Sequence, residues 1–192
     1  MSKSDVLYNV KSVVLTEIDE VTGMEVKDKK PINLVCDSEV ELKPLVSKGN
    51  EKTLRTDTKI LAVAKTPNLL YGYDFKMKNT IFNVEVASLI EGGKIIYDEK
   101  DQTKIIGYES PRLRDGATMK PFKADIYVAN YEGSSIKNYV RITLNKCMGQ
   151  APKITFKKDF FAPEFQITAM ENTKANLPIK TVSYVDALPQ EQ

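Results

Sequence analysis

The sequence predicts a mainly β protein: an antiparallel β-sandwich or barrel with one short flanking α-helix. Three observations predict it. Apolar and polar residues alternate along many short segments, the period of a half-buried strand. Turn residues punctuate those segments, as in Gly49-Asn50, Asp115-Gly116 and Gly133-Ser134. The period changes to that of a helix at one place, where Val86, Leu89 and Ile90 follow at i, i+3, i+4 spacing.

In chain order, Leu7–Ile18 reads as a first strand, rich in Val and Leu. Glu20–Lys30 is a charged loop around Thr22-Gly23, closed by Pro31. Ile32–Leu45 reads as one long second strand. Its alternation puts Cys36, Ser38, Val40 and Leu42 on one face and Asp37, Glu39 and Glu41 on the other. Pro44 places this strand at a sheet edge. Residues 46–58 are polar and basic, with Lys48, Lys52 and Arg55, and read as a protruding loop or hairpin. Lys59–Lys65 and Tyr71–Phe82 read as further strands.

Asn83 is suited to cap a helix, with Glu85 in the first turn where a negative charge meets the helix dipole. Gly92-Gly93 supplies a left-handed stop. Val86, Leu89 and Ile90 form the stripe by which this helix packs on a sheet, since so short a helix is marginal alone. Lys94–Asp98 with Thr103–Glu109 reads as a hairpin, and Phe122–Tyr131 with Lys137–Cys147 as a second. Ile154–Lys157 and Phe165–Met170 read as the last strands. Residues 171–192, with Pro178 and Pro189, read as an extended C-terminal arm of a single domain spanning 1–192.

Hydrophobic residues are 42% of the chain and charged residues 28%, enough apolar content for a core. The 28 basic and 26 acidic side chains leave a net charge of +2, which argues against a dedicated nucleic-acid binder. Arg112 and Arg114 sit beside Glu109 and Asp115 and read as a solvated loop. No apolar run is long enough for a secretory h-region or a membrane span, so the expected setting is the cytoplasm or a particle assembled there. Cys36 and Cys147 read as reduced, buried small hydrophobes, with a disulfide between them as the alternative.

The absence of histidine excludes Ser-His-Asp and Cys-His chemistry and, with two cysteines, a four-ligand structural zinc site. Gly92-Gly93-Lys94 lacks the spacing of a phosphate-binding loop. Asp98-Glu99-Lys100-Asp101 puts Lys100 where a calcium loop needs an oxygen. Acidic residues are plentiful, but no pair is singled out as a hydrolytic site. The expectation is a protein without catalytic residues, metal or cofactor.

Three ordered stretches carry a resemblance. The first is Gly72-Tyr73-Asp74-Phe75 leading into Asn83 to Gly93. The second is Asn145-Lys146-Cys147-Met148-Gly149 followed by Phe160-Phe161-Ala162-Pro163-Glu164-Phe165. The third is Leu177-Pro178 followed by Tyr184-Val185-Asp186-Ala187-Leu188-Pro189. Together, over about Ile32 to Leu188, the chain resembles the major tail tube proteins of phages and prophages of Gram-positive hosts.

That resemblance implies two packed sheets flanked by a helix, and hexameric rings stacked into a hollow tube that conducts double-stranded DNA. It implies no active site and no cofactor. The implied partners are other copies of the chain, a tape-measure protein inside the tube, and the tail terminator and distal tail or baseplate proteins. Membranes are not among them.

In such a tube an acidic or neutral lining keeps DNA off the wall, whereas a basic one binds phosphates. Asp37, Glu39 and Glu41 are therefore the candidates to face the lumen, with an ordinary solvated outer face as the alternative. Lys48, Lys52 and Arg55 are the candidates for a ring-stacking loop, against a surface loop. The long second strand and Tyr71–Phe82 are the candidate edges for pairing between copies. The competing readings are a β-sandwich recognition module of carbohydrate-binding or adhesin type, and a small carboxylate hydrolase.

Overall fold

Alternating side chains build most of this chain into antiparallel strands. The computed structural model describes residues 5–35, 40–78, 83–112, 119–152 and 163–189. Its strands are β1 (Val6–Glu17), β2 (Ile32–Val35), β3 (Val40–Ser47), β4 (Glu51–Arg55), β5 (Ile60–Lys65) and β6 (Leu69–Lys78). After α1 (Val84–Glu91) come β7 (Lys94–Tyr97), β8 (Ile105–Glu109), β9 (Phe122–Glu132), β10 (Ser135–Gly149), β11 (Glu164–Ala169) and β12 (Lys180–Val185). The strand expected at Ile154–Lys157 and the Asp115-Gly116 turn lie outside the described residues.

Eight strands form one sheet in the order β2-β1-β9-β10-β11-β6-β3, with β12 also paired to β10. This corrects the expectation of one long strand over Ile32–Leu45. Its two halves are β2 and β3, at opposite ends of the strand order. Laid flat, those ends would stand about 29 Å apart, six steps of roughly 4.8 Å. The chain from Val35 to Val40 can span at most about 18 Å. The sheet therefore curls back on itself and encloses its core between two layers.

The register identifies the enclosed face. Leu15, Ala124 and Leu144 share one cross-strand row, and Val13, Ile126 and Ile142 the next. Phe75, Met77, Phe165 and Ile167 face them from the β6–β11 layer in the same core. Phe75, Phe122 and Phe165 are almost wholly buried, each worth about 1.5–3 kcal/mol of apolar transfer.

The helix forms as its cap predicts. Asn83 Oδ1 accepts from the backbone N–H groups of Glu85 (2.8 Å) and Val86 (3.3 Å). Gly92 takes the left-handed conformation (φ 79°) and donates its N–H to the Ser88 carbonyl. Val86, Leu89 and Ile90 are all buried in the core cluster, and Ile90 lies directly over Gly149 of β10. The helix thus closes the end of the sandwich marked by Gly149.

Paired asparagines fasten the same end. Asn172, 1% exposed, donates to the Gly23 carbonyl (2.8 Å) and accepts from the Ala175 N–H (3.2 Å). Asn145 donates to the Pro178 carbonyl (2.7 Å) and to Thr181 Oγ1 (3.2 Å). Within the segment expected as an extended C-terminal arm over 171–192, β12 pairs with β10.

Candidate assembly surface

The β3–β6 pair continues past the body of the sheet as a two-stranded ribbon. Val46 and Ser47 pair with Leu70 and Leu69, and Glu51–Leu54 pair with Lys65–Ala62. Between them the Asn68 side chain accepts from the Gly49 N–H (2.9 Å), and the Asn50 N–H donates to Thr66 Oγ1 (2.7 Å). β4 and β5, five and six residues long, form a two-stranded sheet of their own beyond these contacts. Every residue of β4 and β5 is exposed, including Leu54 (62%), Ile60 (68%), Leu61 (61%) and Val63 (53%).

Lys48, Lys52 and Arg55 are all exposed: Lys48 follows β3, and Lys52 and Arg55 stand on β4. Register separates the two faces of the ribbon. Lys52 and Leu54 share one face with Ala64 and Ala62; Glu51, Thr53, Val63 and Lys65 share the other.

The ribbon parts from the body at Gly72. Below it, β11 bridges β10 and β6, pairing Ala169 with Tyr73. Above it, β12 occupies the same flank of β10 that β11 holds lower down, yet β12 has no ladder to β6. A register shift here, opposite Leu45 and Val46, leaves Tyr71 as an extra residue on β6 and bends that strand. A Cβ at Gly72 would lie 2.7 Å from the Ala169 carbonyl oxygen, so the close approach at the fork requires glycine. Lys180 Nζ lies 4.8 Å from the Tyr73 ring centroid, a contact between β12 and β6 beside the fork.

Among the described residues, none of the named elements covers the end opposite α1. Val182 shares a core-face row with Ile142, and Tyr184 one with Val140, yet they are 53% and 59% exposed. On β6, Tyr71 follows Tyr73 and Phe75, and past the register shift Leu70, paired with Val46, stands on the row of their partners Pro44 and Leu42; Tyr71 and Leu70 are both exposed. At the rim of this mouth, Asn130 is 3% exposed and donates to Asp5 Oδ1 (3.0 Å) and Asn138 Oδ1 (2.9 Å). The Tyr184 hydroxyl donates to Asp5 Oδ2 (2.6 Å). That hydrogen bond and the Asp5 charge hold the Tyr184 hydroxyl above the usual phenol pKa.

The other faces are polar in different ways. Glu41 is exposed and stands opposite Lys76. Lys43 faces Asp74, and Lys78 faces Glu164, so this wall alternates in charge across the strands. Opposite-charge cross-strand pairs are worth about 0.2–1 kcal/mol each. Asp37 and Glu39, the other two lumen-facing candidates, lie outside the described residues, as do Cys36 and Arg114. Arg112 stands 4.0 Å from Glu109. Of the two candidate edges, Ile32–Leu45 supplies both ends of the strand order among the described residues, β2 and β3. Among the described residues β6 is flanked by β11 and β3 over Tyr73–Met77, and above Gly72 its ladder is to β3 alone.

On β1, β9 and β10 the face away from the core carries Ser12, Thr16, Asp125, Tyr127, Arg141 and Thr143. Thr143 Oγ1 donates to Asp125 Oδ1, and Lys123 Nζ contacts Asp125 Oδ2 (3.1 Å) and Glu25. Burial pulls the Lys123 pKa down, but the Glu25 hydrogen bond and the Asp125 charge outweigh it and hold the ammonium above the ordinary value. Sequence reading missed this network and the Asn145 and Asn172 anchors. Alternation places such residues on a face without showing which strands lie beside it.

Cys147 is a free, fully buried thiol whose pKa is pushed far up by burial. Among the described residues no group of three or more acidic or thiol side chains is arranged to hold a metal. No helix among them is long and apolar enough to cross a membrane. No protein-family model matches the chain, and the curated proteins searched yield no match either.

Proposed function

We propose that this protein is a structural subunit that polymerises with copies of itself into stacked rings forming a hollow tube, as its resemblance to phage tail tube proteins implies. One observation carries this reading: a two-stranded ribbon, β4–β5, on which every residue of both strands is exposed. A two-stranded ribbon alone is marginal in water. One that also exposes Leu54, Ile60, Leu61 and Val63 gains its order from another chain.

The open edges support the same reading. Among the described residues β3 and β12 each present an unpaired side, and natural proteins cover or charge such edges unless they are used. A surface that meets a different surface on the next copy gives rings when the rotation closes. In this setting Lys48, Lys52 and Arg55 lie in contacts between copies. DNA passes through without specific binding, and a tape-measure protein occupies the tube during assembly. Terminator and baseplate proteins finish its ends, and the assembled product resides in the virion tail.

Negative-stain electron microscopy of the concentrated full chain tests the proposal. Rings or tubes of uniform width are the expected outcome. Featureless single particles at every concentration and ionic strength would favour a monomeric recognition module instead.

A further inference from the structure

The β4–β5 ribbon concentrates the charge of the molecule. Over residues 48–65 it holds Lys48, Lys52, Arg55, Lys59 and Lys65 against Glu51 and Asp57, a net excess of three positive charges. The whole chain carries an excess of two, so the ribbon accounts for all of it. Among the described residues Lys65 alone of these five cations makes an ion pair, with Glu51 at 3.5 Å. Every residue from Asn50 to Leu70 is exposed.

The register orders these side chains from base to tip. On one face Lys52 is followed by Leu54; on the other Lys65 is followed by Val63. Ile60 stands opposite Arg55, and Leu61 is the extra residue at the register shift beside them. Leu54, Ile60, Leu61 and Val63, each more than half exposed, thus form an aliphatic band. Lys52 and Lys65 stand on its base side, Arg55 and Lys59 at its tip.

We infer that this band is a docking surface for an anionic lipid membrane. The aliphatic side chains enter the boundary between headgroups and acyl chains, and the cations on either side reach the lipid phosphates. Lysine and arginine suit this, because they bury their methylene stems while the charged ends stay in the polar layer. β4 and β5, five and six residues long, are too short to cross, since a membrane-spanning strand needs roughly 9–11 residues. The ribbon therefore lies in the interface, where apolar burial and attraction to anionic lipid add.

Charge favours lipid over other occupants. The chain outside the ribbon is within one charge of neutral, so a second copy brings little net negative charge to four unpaired cations. Duplex DNA would satisfy the cations and leave the aliphatic band in water. The inference does not rest on self-assembly. The two contacts use the same side chains, so a ribbon engaged by another copy is closed to lipid.

Flotation of the dilute full chain with vesicles on a density gradient tests this. Vesicles of equal phosphatidylcholine and phosphatidylglycerol should carry the protein up. Phosphatidylcholine vesicles should bind it roughly tenfold more weakly, or less still. Lys52→Glu with Lys59→Glu, which turns the ribbon's net charge from three positive to one negative, should erase that preference. Leu61→Asp, and replacement of residues 51–65 by a short turn, should each weaken binding roughly tenfold or more. All these positions are exposed, so the variants keep the fold.

A protein left at the bottom of the gradient with both vesicles would overturn the inference, whether or not it polymerises. So would flotation that survives replacement of residues 51–65. Flotation lost on charge reversal but indifferent to Leu61→Asp would be adsorption by charge alone and would overturn the docking of the band. Binding to duplex DNA that anionic vesicles cannot displace would assign the cations to nucleic acid instead.

Discussion

Single residues decide how the parts of this fold meet. Gly149 is the clearest, because a Cβ there would sit 2.1 Å from Ile90 Cγ2 and 3.1 Å from the Ile90 carbonyl oxygen. The helix would have to lift off β10. Gly149→Ala is therefore expected to cost about 1–3 kcal/mol by urea unfolding, while Gly107→Ala, with open space around it, should cost far less.

Lys123 gives a prediction with a sign. Its folded pKa lies above the ordinary 10.5, so its contribution to stability is complete below that value. The contribution is lost as pH rises through the folded pKa. Unfolding free energies measured from about pH 9 to about pH 11.5 should fall more steeply for the wild type than for Lys123→Met.

Elements differ in how much of them the amino-acid order reveals. The helix was legible end to end, because Asn83, Glu85 and Gly92 act within one turn of the residues they cap. The hairpins β7–β8 and β9–β10 were legible for the same reason: strand, turn and partner are neighbours in sequence. Ile32–Leu45 was misread as one strand, since β2 and β3 keep the same alternation while their partners, β1 and β6, lie far away in the chain. β12 escaped notice because its pairing to β10 spans some forty residues and its apolar side chains remain exposed. The candidate surface was legible in part. The basic ribbon residues stood out, but the mouth is made where four strands end, and no local pattern marks that place. The ribbon's independence from the core gives an element-scale prediction. Replacing residues 51–65 with a short turn should leave the melting temperature of the monomer within a few degrees of wild type, by circular dichroism.

At the scale of the molecule, the two ends of the curled sheet are unequal. One is shut by α1 over Gly149 and fastened by Asn145 and Asn172. The other opens at the Gly72 fork, exposes side chains from the core face, and extends the apolar ribbon. The asymmetry, among the described residues, is what supports the proposal that further copies complete this end. Sedimentation velocity of the full chain beside the variant lacking residues 51–65, over a wide concentration range, tests that claim most directly. The account predicts that the full chain forms large, concentration-dependent assemblies and that the shortened one sediments as a monomer. A full-length protein that remains a 21.6 kDa monomer throughout would contradict it.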